Sequence, residues 1–546
     1  MATPYEEFVN RELPRRPVML TYTITGYDGD PNAVIAPTIV SNAPAGSFYL
    51  EQTTRILWRK SAETSGSFVE VGTGEGVETT EDLACTVDYE DVSSVDPPIG
   101  TVFTTQSQID QFLSDHSATA FKHLQAIWDA IPWRILHNIT INLSAGVHRP
   151  QPVPTYANVG CAWFFQDKCV DHRALISING PMPSTWTAVD PLLNNLTITG
   201  YQIGTNPYLD FSGTPFLGFS LKGMFAVLST GQVVVIHEHT DSRLYVCSYI
   251  SPDPTGGTVK VARPAAILRN SLDDVTSVTW YDVGIGPTPQ ESFFSIFMFE
   301  LNNIRFQGVA SNIQLLITNG SVEVMQCELD CLTYTPNMSG VWAWSTVQVF
   351  FMTCSFIAAS SGPDNAFTVQ MTAFVGIYNS FVKGWDDGIG VSTQAMFDAD
   401  ESVLELNGPI IVADGSVIFA SWGGKVSELR GFGLYFKQGY YTPTYGDIST
   451  APTNLIFKNI ASSCIRIGSN CEVDFSTSIL SDGGGNLGCG FEFFGESSSV
   501  KLGPGVTLSG ASGDAKMADS DVWSYADIVS LGPIIDDHNN IVRKDS

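Results

Sequence analysis

The sequence predicts a mainly β protein built around a right-handed parallel β-helix. A small N-terminal β domain and a capping helix precede it, and an antiparallel β segment is inserted in it. Three observations carry that expectation. The 546-residue chain is 44% apolar but only 15% charged, against roughly 25% charged in an ordinary soluble protein. A short apolar–polar–apolar triplet recurs at steps of 23–27 residues, the spacing of solenoid repeats. One stretch has apolar residues at helical spacing, and it runs directly into strict alternation.

Composition also excludes classes. Disorder needs low hydrophobicity and high charge density. With 27 Lys+Arg against 56 Asp+Glu, the net charge is −29, so no clustered cations are offered to nucleic acid. The N-terminus (MATPYEEFVNRELPRRPVML) has no apolar core and is not expected to be an ordinary secretory signal. The richest apolar run, Val347 to Ala359, is broken by Gln348, Thr353 and Ser355, so no membrane insertion is expected. The ten Cys have irregular spacing and suit reduced core residues in a cytoplasm.

Along the chain, residues 1–101 form the expected N-terminal module. Its short alternating segments are Val18–Ile24, Ser47–Leu50, Arg55–Trp58 and Ser67–Val71, separated by Gly, Asp and Pro turns. The acidic stretch Glu75–Pro98 reads as a linker or a loosely packed strand exchange. Residues 102–134 hold the capping helix, with Ile109, Phe112, Leu113, Phe121, Leu124, Ile127 and Trp128 at 3–4 spacing. Residues 135–204 supply the first coils, including His137–Leu143, Leu175–Ile178 and Asn195–Thr199. The rhythm breaks over 205–289, the antiparallel insertion. Residues 290–510 form the main β-helix, marked by the triplets ending at Phe306, Leu329, Phe356, Phe381, Leu406 and Leu429. After 511 the pattern fades into an acidic C-terminal segment.

The cap helix (Ala126–Pro132) followed by His137–Leu143 and Gly146 resembles the entry segment of pectate-lyase-like β-helix proteins, especially bacteriophage tailspikes and tail fibres. Ala43–Gly72 (APAGSFYLEQTTRILWRKSAETSGSFVEVG) is similar to a small β module of phage tail and fibre proteins. The resemblance implies a virion structural protein, a homotrimer assembled in the host cytoplasm. Its N-terminal module would dock to other virion proteins, and its shaft would meet a host-surface polysaccharide during adsorption. Two alternatives stay open: a polysaccharide depolymerase (glycoside hydrolase or lyase) of the same shape, and a purely structural neck or capsid fibre.

Several residues are candidates for chemistry. The middle residues of the triplets, Arg305, Glu328, Ser355, Ser380, Glu405 and Glu428, should form an outward column. Coils lie about 4.8 Å apart, so Glu405 and Glu428 would stack at the carboxyl spacing of a retaining glycosidase and split their pKa values. Trp385 with Asp386 and Asp387, followed by Asp398, Asp400 and Glu401, suits stacking on a sugar with hydrogen bonds to its hydroxyls, or equally a turn in which Gly384 and Gly388 supply the backbone freedom and Trp385 packs at a subunit boundary. Trp422 beside Gly423–Gly424 is a weaker version. Calcium at Asp386, Asp387 and Asp398 lacks the D-x-D-x-D-G pattern. His237 and His239 should share a strand face, but spacing fixes no third ligand, so no metal is expected. No G-x-S-x-G, Walker A or H-E-x-x-H motif occurs, so no cofactor is expected. Arg11–Pro17 (RELPRRP) is the densest basic patch and reads as a docking arm.

Overall fold

The computed structural model describes residues 23–24, 48–50, 56–60, 68–73, 78–151, 161–165, 168–171, 173–204, 206–270, 281–285, 298–308, 313–318, 320–331, 339–358, 365–413, 416–418, 427–441, 454–476, 478–517 and 522–544. Among these, most strands assemble into three long sheets of nine, eleven and sixteen strands, paired almost throughout in parallel. Each coil contributes one strand to each sheet, which is a parallel β-helix. The described N-terminal strands, Thr23–Ile24, Phe48–Leu50, Ile56–Lys60 and Phe68–Thr73, form a separate four-stranded sheet.

Strand alternation builds the interior. In the eleven-stranded sheet Phe306, Leu329, Phe356, Val382, Leu404, Leu429 and Phe457 stand in register from coil to coil. All are buried in one continuous core. Cys85, Cys327, Cys354 and Cys471 are free and buried. Burial pushes the Cys354 thiol up to about 12.

The corner between the nine- and eleven-stranded sheets repeats a device. Asn303, Gln326, Thr353, Asn379 and Glu401 all have φ between 48° and 61°, the left-handed region that turns a chain sharply but strains β-branched residues. After the last four of these, the next residue (Cys327, Cys354, Ser380 or Ser402) is buried with a small side chain that can accept a hydrogen bond from the preceding coil. Cys354 N donates to Ser380 Oγ (2.9 Å), Ser380 N to Ser402 Oγ (3.1 Å) and Ser402 N to Ser427 Oγ (3.3 Å). This ladder satisfies backbone donors that the corner removes from the sheets.

Both ends are closed. The expected single cap helix is two: Gln106–Asp115, started by a capping box between Thr105 and Gln108, and the buried Leu124–Ala130. Trp128 packs on Phe165 and Phe299 (ring centroids 5.2 and 6.4 Å) and covers the first coils. Part of the expected linker is instead sheet. Leu83–Val87 pairs in parallel with Ile139–Leu143 and heads the nine-stranded sheet, because its alternate residues Leu83, Cys85 and Val87 face the core. The C-terminal segment is also built in. Helix Tyr525–Leu531 is capped by Ser524 and Asp527, and Ile541–Lys544 pairs with Ser499–Leu502.

The insertion is a closed six-stranded antiparallel barrel of Leu196–Gln202, Tyr208–Phe211, Phe225–Leu228, Val233–His239, Arg243–Val246 and Thr258–Ala262. It has its own core, including Ile198, Leu209, Phe216, Ile236, Leu244 and Val261. The boundaries expected at 205 and 289 therefore shift. Leu196–Gln202, which overlaps the coil expected at Asn195–Thr199, pairs within the barrel, and Ala266–Arg269 already pairs with the solenoid strands Gly146–His148 and Ile304–Gly308. A half-buried alternating strand reads the same in either setting.

Candidate functional site

The expected carboxylate pair is not stacked. Leu404, not Leu406, is the register partner of Leu429, so Glu405 lies beside Arg430 and Glu428 beside Val403. The actual outward column runs Arg305, Glu328, Ser355, Phe381, Val403, Glu428. Phe381 and Val403 point outward because the barrel covers them. They join Trp186, Phe225, Val227, Val233, Val235 and Cys247 in an apolar cluster outside the solenoid core. Gly223 of the barrel touches the shaft so closely that a Cβ there would stand 1.9 Å from Ile357 Cδ1.

Around this apolar contact the charges are paired. Arg430 meets Glu428 (2.6 Å), Glu238 of the barrel (3.1 Å) and Glu405 (3.8 Å). Lys222 of the barrel meets Glu405 at 2.9 Å, and Lys458 meets Glu428 at 3.8 Å. Three carboxylates thus face three cations. Burial works against the charge of Arg430, but the Glu428 hydrogen bond and the three carboxylates outweigh it and hold the guanidinium above its ordinary value. Glu405 and Glu428 are bridging anions of a domain joint, not an acid–base pair.

His237, expected to share a face with His239, sits in the same joint. A register shift between Ile236 and Glu238 turns both His237 and Glu238 toward Arg430. His237 Nε2 lies 3.0 Å from Asn206 Oδ1. Burial, and then the cations Arg430, Lys222 and Lys458, hold its pKa well below the usual histidine value. At the strand end, His239 Nδ1 lies 3.4 Å from the carbonyl oxygen of its neighbour Thr240. Farther along the same sheet, Glu328 is fully buried between Arg263 and Arg305, each at 3.5 Å. Desolvation raises its pKa to about 7 in spite of both arginines.

The second expected site also divides. Trp385 is fully buried, with φ of 69°, and its indole lies 3.0 Å from where a Cβ on Gly340 would stand. It fills the corner between two sheets and is no sugar platform. Asp386 and Asp387 beside it are exposed, while Asp398 belongs to a strand of the nine-stranded sheet, so the three carboxylates are on different parts of the coil. Trp422 lies outside the described residues.

What the structure does bring together is on the outer face of the nine-stranded sheet. Glu300, Glu323, Phe350, Gly376 and Asp398 are successive register partners in one column. Asn302, Met325, Met352, Tyr378 and Asp400 form the column beside it. Phe350 lies 5.4 Å from Phe374 and 6.4 Å from Tyr378, the latter pair stacked at 24°. Gly376 makes that arrangement possible. A Cβ at 376 would stand 2.6 Å from Tyr378 Oη, so only the missing side chain lets the tyrosine ring lie across the column. Tyr378 Oη then donates to Asp398 Oδ2 at 3.1 Å. On the other side of the shelf, Glu300 accepts from Ser177 Oγ at 2.9 Å. At the corner, Glu401 and the barrel's Tyr249 are close enough that burial and then the carboxylate charge raise the Tyr249 phenol above its ordinary value. The result is a half-buried aromatic shelf with hydrogen-bonding carboxylates at both ends, a surface suited to ring stacking and hydroxyl recognition.

No protein-family model matches the chain, and no curated protein matches it. Among solved structures, the chain is similar to the tailspike protein gp49 from Pseudomonas phage LKA1, with 11% identity over 79% of this chain and 83% of that one (TM-score 0.28). It is also similar to the gp54 tailspike of Acinetobacter baumannii bacteriophage AP22, solved with A. baumannii capsular saccharide (8% identity, 78% and 82% covered, TM-score 0.17). A third is the family 28 exopolygalacturonase of Yersinia enterocolitica (11% identity, 82% and 76% covered, TM-score 0.21). Two of these three are phage tailspikes.

Sequence reasoning named Asp398, Asp400 and Glu401 but missed Phe350, Phe374 and Tyr378. The segment holding Phe350 drew notice only as an apolar run. The signal was present in its alternation, since Val347, Val349 and Phe351 are buried and Gln348, Phe350 and Met352 are not.

Proposed function

We propose that this protein is a structural component of a bacteriophage virion, a tailspike, tail fibre or related appendage, which adsorbs to the host by binding a surface glycan. The observation that carries the reading is the Phe350–Phe374–Tyr378 shelf between Glu323 and Asp398 on a rigid sheet. Apolar rings stack on sugar faces, and the flanking carboxylates accept from hydroxyls. Strand pairing fixes the shelf, so little order is lost on binding.

The shaft acts as a homotrimer in this reading. Along the outer face of the sixteen-stranded sheet, Leu316, Trp342, Thr368, Gly390, Ile411 and Tyr435 follow one another in register. That mostly apolar column supports packing between copies, and three shafts would present three shelves to a repetitive surface. The N-terminal module docks to the particle, and assembly takes place in the host cytoplasm. A depolymerase would need acid–base residues other than Glu405 and Glu428, whose charges are already neutralised.

The test is binding of the full chain to a panel of bacterial surface polysaccharides, with its mass measured by sedimentation. At least one polysaccharide should be retained by a trimer and released by F350A/Y378A. Retention of none, or equal retention by the variant, would refute the reading.

A further inference from the structure

We infer that Arg466 anchors a second glycan subsite, one that takes the carboxylate of an acidic sugar. It lies on the outer face of the sixteen-stranded sheet, apart from the shelf. The mostly apolar column there ends in Tyr435, and the next register positions are Arg466, Glu492 and Lys516. Alternation along Ile465–Ile467 buries both isoleucines and turns Arg466 outward. Two rings then hold its guanidinium. Arg466 Cζ lies 3.7 Å from the ring centroid of Phe494 and 5.3 Å from that of Tyr435, both within cation–π range.

What the guanidinium lacks is an acceptor. Its Nε is buried without a hydrogen-bond partner, and among the described residues its terminal nitrogens form no hydrogen bond or ion pair either. The carboxylates around it are committed elsewhere or stand apart. Glu492 accepts from Ser463 Oγ at 2.6 Å and from Lys516 Nζ at 2.9 Å. Asp514 accepts from the Tyr525 amide at 2.8 Å, and the exposed Glu496 forms no ion pair among the described residues. An arginine already held against two rings has lost its rotamer freedom in advance. Its planar edge of Nη donors can therefore meet a carboxylate bidentately at little further cost. Phe494 is 51% exposed and sets an apolar ring beside that edge, where the face of the sugar bearing the acid can stack. That the ligand is a sugar rests on the glycan reading; that it is anionic rests on Arg466.

The experiment measures, by calorimetry on the full chain, binding of a glucuronate tetramer and of the glucose tetramer left when its carboxyls are reduced. A net charge of −29 repels a polyanion, so bulk attraction does not imitate the result. The glucuronate tetramer should bind at least tenfold more tightly than the glucose tetramer. R466Q should lose about tenfold, and R466K nearly as much, because an ammonium offers no planar fork. R173Q, which removes an exposed cation elsewhere, should lose little, and F350A/Y378A should keep its glucuronate binding. Sedimentation should give R466Q the same mass as the unaltered chain. Equal binding of the two tetramers, no binding of the glucuronate tetramer, full affinity in R466Q, or equal losses in R466Q and R173Q would overturn the inference. So would dissociation of R466Q, because the acid that Arg466 meets would then belong to another copy of the chain. The glycan reading fails separately, by retention of none of the polysaccharides in the panel.

Discussion

Two outer faces of the same solenoid differ in how their charges are satisfied. On the eleven-stranded sheet, Glu405 and Glu428 are bridged by Arg430, Lys222 and Lys458, and the barrel covers Phe381 and Val403. On the nine-stranded sheet, the strands bearing Glu300, Glu323, Asp398 and Asp400 include no cation, and the aromatic rings are half-buried beside them. The difference teaches that a carboxylate column on a β-helix has no fixed meaning. Arginines within the same sheet make it a joint, while rings and glycine make it a shelf.

The largest expected effect breaks the joint. R430M leaves Glu428, Glu238 and Glu405 short of their shared cation. Removing one partner of a buried pair costs about 3–5 kcal/mol, so the midpoint of denaturant unfolding should fall accordingly and proteolysis should release the barrel first. Polysaccharide binding per folded molecule should change little.

The pH dependence of the joint sharpens the contrast further. The pKa of His237 is depressed in the fold, so its contribution is complete above the ordinary value near 6.5 and is lost as pH falls below it. The pKa of Glu328 is raised to about 7, so its contribution is complete below its ordinary value of about 4.5 and is lost as pH rises through 7. H237Q should therefore remove part of the stability loss on the acid side of the ordinary histidine value, and E328Q part of the loss between 4.5 and about 7, in thermal unfolding followed over roughly pH 4 to 9.

A smaller effect concerns the corner that both faces share. Thr353 is β-branched at φ 54°, a conformation that costs about 1–3 kcal/mol and that Asn adopts more readily. T353N should raise the melting temperature slightly. G376A should do the opposite of R430M: the added Cβ pushes Tyr378 off the shelf, weakening glycan binding several-fold while unfolding hardly moves.

The repeating beat, the buried Phe306, Leu329, Phe356 and Leu429, and the apolar cap around Trp128 were legible because core burial imposes alternation on local sequence. Phe381 misled, since an apolar residue facing a docked barrel has the same pattern as one facing the core. That slip displaced the register by two residues near Leu404 and stacked Glu405 on Glu428. Trp385 misled for a related reason: Gly384, Trp385 and Gly388 have the composition of an exposed loop, yet the turn folds its indole inward. Asp398, Asp400 and Glu401 stood out as a local acidic cluster. Phe350, Phe374 and Tyr378 did not, because rings about 25 residues apart meet only once the coil lengths between them are known.

The central claim is that recognition and domain joining occupy separate faces of one shaft. Binding to a retained polysaccharide and the unfolding midpoint, measured together on F350A/Y378A and R430M, test it directly. The expected result is a crossed one: F350A/Y378A loses at least tenfold in affinity with its unfolding midpoint nearly unchanged, whereas R430M loses stability and, while folded, keeps its affinity. Loss of affinity in R430M with full retention in F350A/Y378A would contradict it.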